Sequence, residues 1–141
     1  MTYSFAASNG DAKYDAGQEC RVETIAAART LNAADSGKVF VLSAAAGAAI
    51  TLPAVKSGTT YKFIVASLFA TTNWTIVAAA NVIEGGAIVN SAFVAADDEN
   101  TISLVASAET IGDFVELISD GSKWYASGVG AAAGSITFTA P

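Results

Sequence analysis

A period of two runs through this chain. From Asp35 to the C-terminal end, short runs of alternating apolar and polar residues are stopped by Gly, Pro, Asn or Asp, roughly every 8 to 14 residues. Tyr61, Phe63 and Val65 share one side of an extended segment, and Thr60, Lys62 and Ile64 share the other. Trp74 and Ile76 repeat the pattern about Thr75, and Ile102 and Leu104 alternate with Thr101, Ser103 and Val105. A helix buries a stripe with a repeat near 3.6, so these segments read as half-buried strands. Lys38–Leu42 and Ser135–Thr139 are further strands, and Ile50-Thr51-Leu52 is a short one closed by Pro53, which has no N–H for a ladder. Phe114–Ser119 and Lys123–Ser127 flank Asp120-Gly121, the dipeptide of a type I′ hairpin turn.

Alanine is the chief argument for helix, with 31 residues. Yet Ala44–Ala46, Ala78–Ala80 and Ala131–Ala133 are only three residues long, too short to offset helix nucleation, and read as loops. Val22–Ile25 and Arg29–Leu31 read as two short strands rather than as one helix through Ala26-Ala27-Ala28. About nine strands follow, and the expected fold is all-β: an antiparallel β-sandwich, jelly-roll-like, with an extended N-terminal arm. The 141 residues suit one core. Residues 1–28, turn-rich with the isolated aromatics Tyr3, Phe5 and Tyr14, form the arm, and 29–141 the sandwich.

Composition removes most chemistry. The chain has no His, which excludes Ser/His and Cys/His dyads, His metal sites and an imidazole base. Cys20 is alone and has no metal-ligand spacing. A net charge of −6 with seven scattered Lys and Arg gives no basic footprint for nucleic acid or an anionic membrane. The 21 residues Phe63–Ile83 lack charge but contain Thr71-Thr72-Asn73 and Asn81 and alternate, so they are not expected to span a membrane. The first residues, Met1-Thr2-Tyr3-Ser4-Phe5, lack the basic and apolar regions of a secretory signal, and synthesis in a bacterial cytoplasm is expected.

Candidate sites are few. Asp97-Asp98-Glu99-Asn100 is dense in oxygen ligands but lacks the alternate-position spacing of calcium loops, so it reads as a solvated loop and no metal or cofactor is expected. Glu84, Glu109, Asp113 and Glu116 could supply a carboxylate pair for glycoside chemistry, Asp113 with Glu116 being the pair for a hydrolase, but no motif joins them and no enzyme is expected. Glu84-Gly85-Gly86 has no Lys or following helix for a phosphate and reads as a turn. Trp124 and Tyr125, adjacent in a strand, must point to opposite sides: one to a second sheet, the other to solvent or a subunit.

Four segments carry a family resemblance. Thr30-Leu31-Asn32-Ala33-Ala34-Asp35-Ser36-Gly37-Lys38-Val39-Phe40, Ile50-Thr51-Leu52-Pro53 and Gly58–Val65 resemble small structural proteins of tailed bacteriophages, and the hairpin Val115–Tyr125 is similar to one that recurs there. In size and composition the chain resembles capsid decoration, or cement, proteins. That resemblance implies a β-rich homotrimer on the outer capsid surface of the virion, bound to the major capsid protein and reinforcing the shell. Tyr3, Phe5 and Tyr14 would anchor the arm in grooves of the capsid protein, with Trp124 and Tyr125 as further partner contacts. Tail-fibre modules share the motifs, so the alternative is a receptor- or carbohydrate-binding module using Trp124 or Tyr125 on sugars.

Overall fold

The computed structural model describes residues 21–141, so Tyr3, Phe5, Tyr14 and Cys20 lie outside the described residues. Twelve strands are described: β1 (Val22–Ile25), β2 (Arg29–Thr30), β3 (Val39–Leu42), β4 (Ala49–Thr51), β5 (Thr60–Val65), β6 (Trp74–Val77), β7 (Ile83–Val89), β8 (Ala92–Glu99), β9 (Thr101–Leu104), β10 (Phe114–Ser119), β11 (Trp124–Gly130) and β12 (Ile136–Thr139). They form two packed sheets, one of seven strands in the order β1-β3-β5-β10-β11-β7-β8 and one of five in the order β12-β9-β6-β4-β2. The chain is thus the all-β sandwich that its alternation calls for, and its three alanine runs lie between strands.

The strands from β1 to β6 alternate between the two sheets, so β1, β3 and β5 pair in parallel in one and β2, β4 and β6 in parallel in the other. Parallel neighbours need a crossover, and here each crossover is a strand of the facing sheet, giving three stacked rungs. From β7 onward, hairpins and returning strands pair antiparallel, apart from the parallel pair β11 and β7. The sheets are therefore mixed, with five of ten pairings parallel, where antiparallel pairing was expected. A period of two reports which side is buried and carries no information on strand direction.

Three local expectations are corrected. First, Val22–Ile25 pairs with β3, so these residues belong to the sandwich rather than to an arm ending at residue 28. Second, the segment read as a turn at Glu84-Gly85-Gly86 and a loop at Asp97–Glu99 is a long hairpin, β7 and β8. Its register shifts between Ile83 and Gly85, and Gly85 and Gly86 take φ of 106° and 148°, where a Cβ would collide with the carbonyls of Ala126 and Val94. Third, both central residues with positive φ, the mark of a type I′ turn, occur at Asn90-Ser91 (49° and 67°) between β7 and β8. In the β10–β11 hairpin, paired as expected, Gly121 alone of the two has positive φ, and the Asp120 carboxylate closes a four-residue loop by accepting the N–H groups of Ser122 and Lys123 at 2.8 and 2.9 Å.

Between the sheets, Phe40 stacks on Phe63 with centroids 5.5 Å apart, and Tyr61 touches Phe40, Phe63 and Trp124. The Tyr61 hydroxyl donates to the Asn32 carbonyl at 2.7 Å. Trp74, Ile50, Ile76 and Ile102 supply the facing layer from the five-stranded sheet. The first rung closes with a ring of four charges. Glu23 binds Arg29 and Lys38, and Asp35 binds the same two cations at 3.0 and 2.9 Å. A capping box between Asn32 and Asp35 shapes the 3-10 turn Ala33–Asp35 that presents the buried carboxylate. The Arg29 guanidinium lies 5.5 Å from the Phe40 ring centroid, so the ring of charges covers the aromatic core.

Burial opposes the charge of Asp35, but hydrogen bonds from Lys38 and the Asn32 N–H hold its carboxyl below the usual carboxylate range. A depressed folded pKa contributes stability that is complete above the unfolded value of about 3.9 and is lost as pH falls through the folded value. Asp35→Asn is therefore expected to cost about 1–3 kcal/mol at pH 7, with the difference from the parent shrinking below about pH 4, as read from urea unfolding at both pH values. Phe40→Ala is expected to cost about 3–5 kcal/mol at either pH, since it opens a cavity and titrates nothing.

Candidate binding face

Because side chains alternate, burying Phe40, Phe63, Val115 and Leu117 sends their neighbours to the outside of the seven-stranded sheet. Those neighbours are apolar to an unusual degree. Across the sheet, Val41 lies opposite Ile64, Ile64 opposite Phe114, Phe114 opposite Val129, Val129 opposite Ile88, and Ile88 opposite Phe93. This unbroken apolar row crosses six strands, with Phe93 63% exposed at one end and Val129 45% exposed within it. Ile118 and Tyr125, also opposite one another, add a second exposed apolar pair two rows away.

The outside of the five-stranded sheet is different. Its outward rows read Thr137, Ser103, Thr75, Ala49 and Thr139, Thr101, Val77, Thr51, a surface of hydroxyls and small groups. One sheet therefore meets water with polar side chains, while the other presents a contiguous apolar surface, the kind that marks an interaction site.

Between the two apolar rows, Lys62 and Glu116 lie directly opposite and form an ion pair at 3.3 Å, the Lys62 ammonium also lying 4.5 Å from the Phe114 ring centroid. Beside them is a shallow depression of about 380 Å³ bordered by Val39, Thr60, Ile118, Tyr125 and Ser127. At its rim the Tyr125 hydroxyl donates to Asp120 at 2.8 Å, which together with burial and the Asp120 charge raises the phenol above its usual value. Asp120, accepting from two backbone N–H groups and from Tyr125, is held well below the carboxylate range.

The other expected residues are placed as follows. Tyr125 is 42% exposed on this face, while Trp124 points inward and is wholly buried. The Trp124 indole belongs to the core, contrary to its expected part in partner contact, because the strand's alternation allows only one of the two neighbours to reach outside. Glu84, Asp97 and Asp98 bring carboxylate oxygens within 4.8 Å of one another, so the acidic run converges with a residue from the neighbouring strand. The positive charge there is supplied by Lys123, whose ammonium is 2.8 Å from Glu84 and 2.6 Å from Asp98, raising the pKa of Lys123 and lowering that of Asp98. Of the carboxylates considered for catalysis, Asp113 is buried and accepts the N–H groups of Thr110 and Ala131, and Glu109 accepts the N–H of Phe69. Glu116 is on the outer face with Lys62, so Asp113 and Glu116 do not share a cleft-like site.

Ile64, Phe114, Ile118 and Val129 are the functional candidates that alternation alone passes over. Their signal was the apolar residue on the supposedly polar side of each strand, as in Lys62-Phe63-Ile64-Val65 and Leu117-Ile118: strands apolar on both sides are strands covered on both sides. Among the described residues no helix is long and apolar enough to cross a membrane.

The Asp120 loop makes a pH prediction. Its folded pKa is depressed, so the loop is stabilised above the unfolded value of about 3.9 and loses that stabilisation only as pH falls through the lower folded value. In an NMR titration the Ser122 and Lys123 amide shifts are expected to hold steady down to below about pH 3; movement centred near pH 4, as for a free carboxylate, would contradict the assignment. Comparison with protein-family models, curated proteins and solved structures found no match for this chain.

Proposed function

We propose that this chain is a structural protein of a tailed bacteriophage: a capsid decoration protein that is made in the host cytoplasm, assembles as a homotrimer and binds the major capsid protein on the outer surface of the virion. The observation that carries the reading is the apolar row across six strands of the seven-stranded sheet. Such a face is suited to adhesion, and it occurs in a chain with only 14% charged residues. The resemblance to decoration proteins supplies the setting. Its motifs fall on β2, the Ala33–Asp35 turn and β3, on β4, on β5 and on the β10–β11 hairpin, segments that build the charge ring and the centre of the apolar face. Tyr3, Phe5 and Tyr14 are the proposed anchors on the capsid protein.

One observation favours the tail-fibre alternative: exposed Tyr125 borders the depression beside Lys62 and Glu116, an arrangement on which a sugar ring could stack and hydrogen-bond. A glycan-binding measurement separates the readings, because a decoration protein has no saturable sugar affinity.

The decoration reading is tested by co-sedimentation with expanded capsids. The full chain is expected to pellet with them, and Tyr3→Ala, Phe5→Ala and Tyr14→Ala combined are expected to lower capsid affinity at least tenfold while leaving circular dichroism unchanged, as loss of buried aromatic anchors does. Unchanged affinity would remove the anchor role; failure of the parent chain to bind would remove the decoration role.

A further inference from the structure

We infer that the outer face of the seven-stranded sheet is a self-complementary surface, through which two copies of this chain pack face to face about a two-fold axis. This rests on the self-association of the decoration reading and goes beyond it: the homotrimer proposed there pairs through this face with a second trimer to give six chains, and three chains alone would satisfy that reading but not this contact.

The occupant follows from the placement of charge. In a two-fold contact each patch meets itself, so residue i of one chain meets residue j of the other, and j meets i. Lys62 on β5 and Glu116 on β10 are directly opposite neighbours near the middle of the face. A two-fold axis running along the strands between β5 and β10 lays β5 of each chain over β10 of the other. Each Lys62 then faces Glu116 of the second copy, and the two ion pairs become a four-charge square. No charge is left facing its like. With this axis the centre of the apolar row meets itself, Ile64 facing Phe114 and Val41 facing Val129 of the second copy, while Ile88 lies over β1 and Phe93 beyond its edge.

The size is adequate. Six strands overlap about this axis, with β8 beyond the edge of the second copy; at about 4.8 Å apart they span about 24 Å, and the three outward rows on β5 and β10 extend about 14 Å along the strands. With side-chain margins the footprint is on the order of 600 Å² per chain, near the roughly 800 Å² per partner of a standard specific interface. Aligned packing of two twisted sheets rotates them by about 30°, so the pairs closest to the axis, Lys62 with Glu116 and Ile64 with Phe114, carry most of the contact. The hydroxyl-lined face of the other sheet offers no such match.

The test uses the full chain in sedimentation equilibrium at about 100 μM, above the μM Kd found at the weak end for interfaces of this size. The parent is expected to contain an even number of chains. Val129→Glu, a change at an exposed position, is expected to halve the mass, two chains to one or six to three, with unchanged circular dichroism. Lys62→Glu and Glu116→Lys, each purified alone, place like charges across the axis and are expected to halve it too. An equimolar mixture of those two variants is expected to restore the parent mass, because each acidic pair then faces a basic pair. A role for Lys62 and Glu116 confined to their own chain would shift the melting temperature of each variant and leave the mixture no heavier than its components. A parent mass of one or three chains, masses unaffected by all three substitutions, or a mixture that fails to reassociate would each overturn the inference; a monomer whose face is covered by its own residues 1–20 falls under the first. Loss of capsid binding with the paired mass retained would count against the decoration reading and leave this contact standing.

Discussion

The contact of Phe40 with Phe63, completed by Tyr61 and Trp124, sets the parity of the seven-stranded sheet. Strands β3, β5 and β11 meet at these rings, and once the rings turn inward every second residue along each strand is committed to the outside. Val41, Ile64 and Val129 face outward for that reason, the first two half-buried and the third exposed. A slip of one residue in β5 or β11 would bury Lys62 or Ser127 and expose an aromatic ring, at a cost in buried area that no surface contact offsets. The binding face is thus a geometric consequence of the core.

The two halves of the sandwich reach that core by different routes. In the first half, three rungs pass back and forth between the sheets, so neighbouring strands are linked through the facing sheet, and the first rung is left to cover the core's end. The ring of Glu23, Arg29, Asp35 and Lys38 does this with paired charges, each cation shared by two carboxylates, over the Phe40 ring. In the second half, hairpins supply local pairing, and the bulge at Gly85 and Gly86 lets β7 lie tightly between β11 and β8. Polar capping at one end and glycine at the other leave the broad outer face free of constraint, which is why its chemistry can serve adhesion.

The division between the two sheets matters for function. Threonines on the outside of the smaller sheet meet water, whereas the larger sheet presents an apolar row with one central ion pair beside it. Low overall charge, placed mostly away from that row, is the physical basis of the adhesive role proposed for this face.

Much of this was legible before any coordinates. The alternation of Tyr61, Phe63 and Val65, the Trp124–Tyr125 split and the loops at the alanine triplets follow from local stereochemistry, which depends only on neighbours along the chain. The β7–β8 hairpin was not legible, because Gly85-Gly86 and Asp97-Asp98 are turn-forming by propensity, and their place in a paired hairpin depends on β11 and the Lys123 ammonium, distant in sequence. Strand direction and the apolar row share that character. Each arises from pairing between segments tens of residues apart, and a one-dimensional pattern of period two states that a strand has two sides without stating which strand lies beside it.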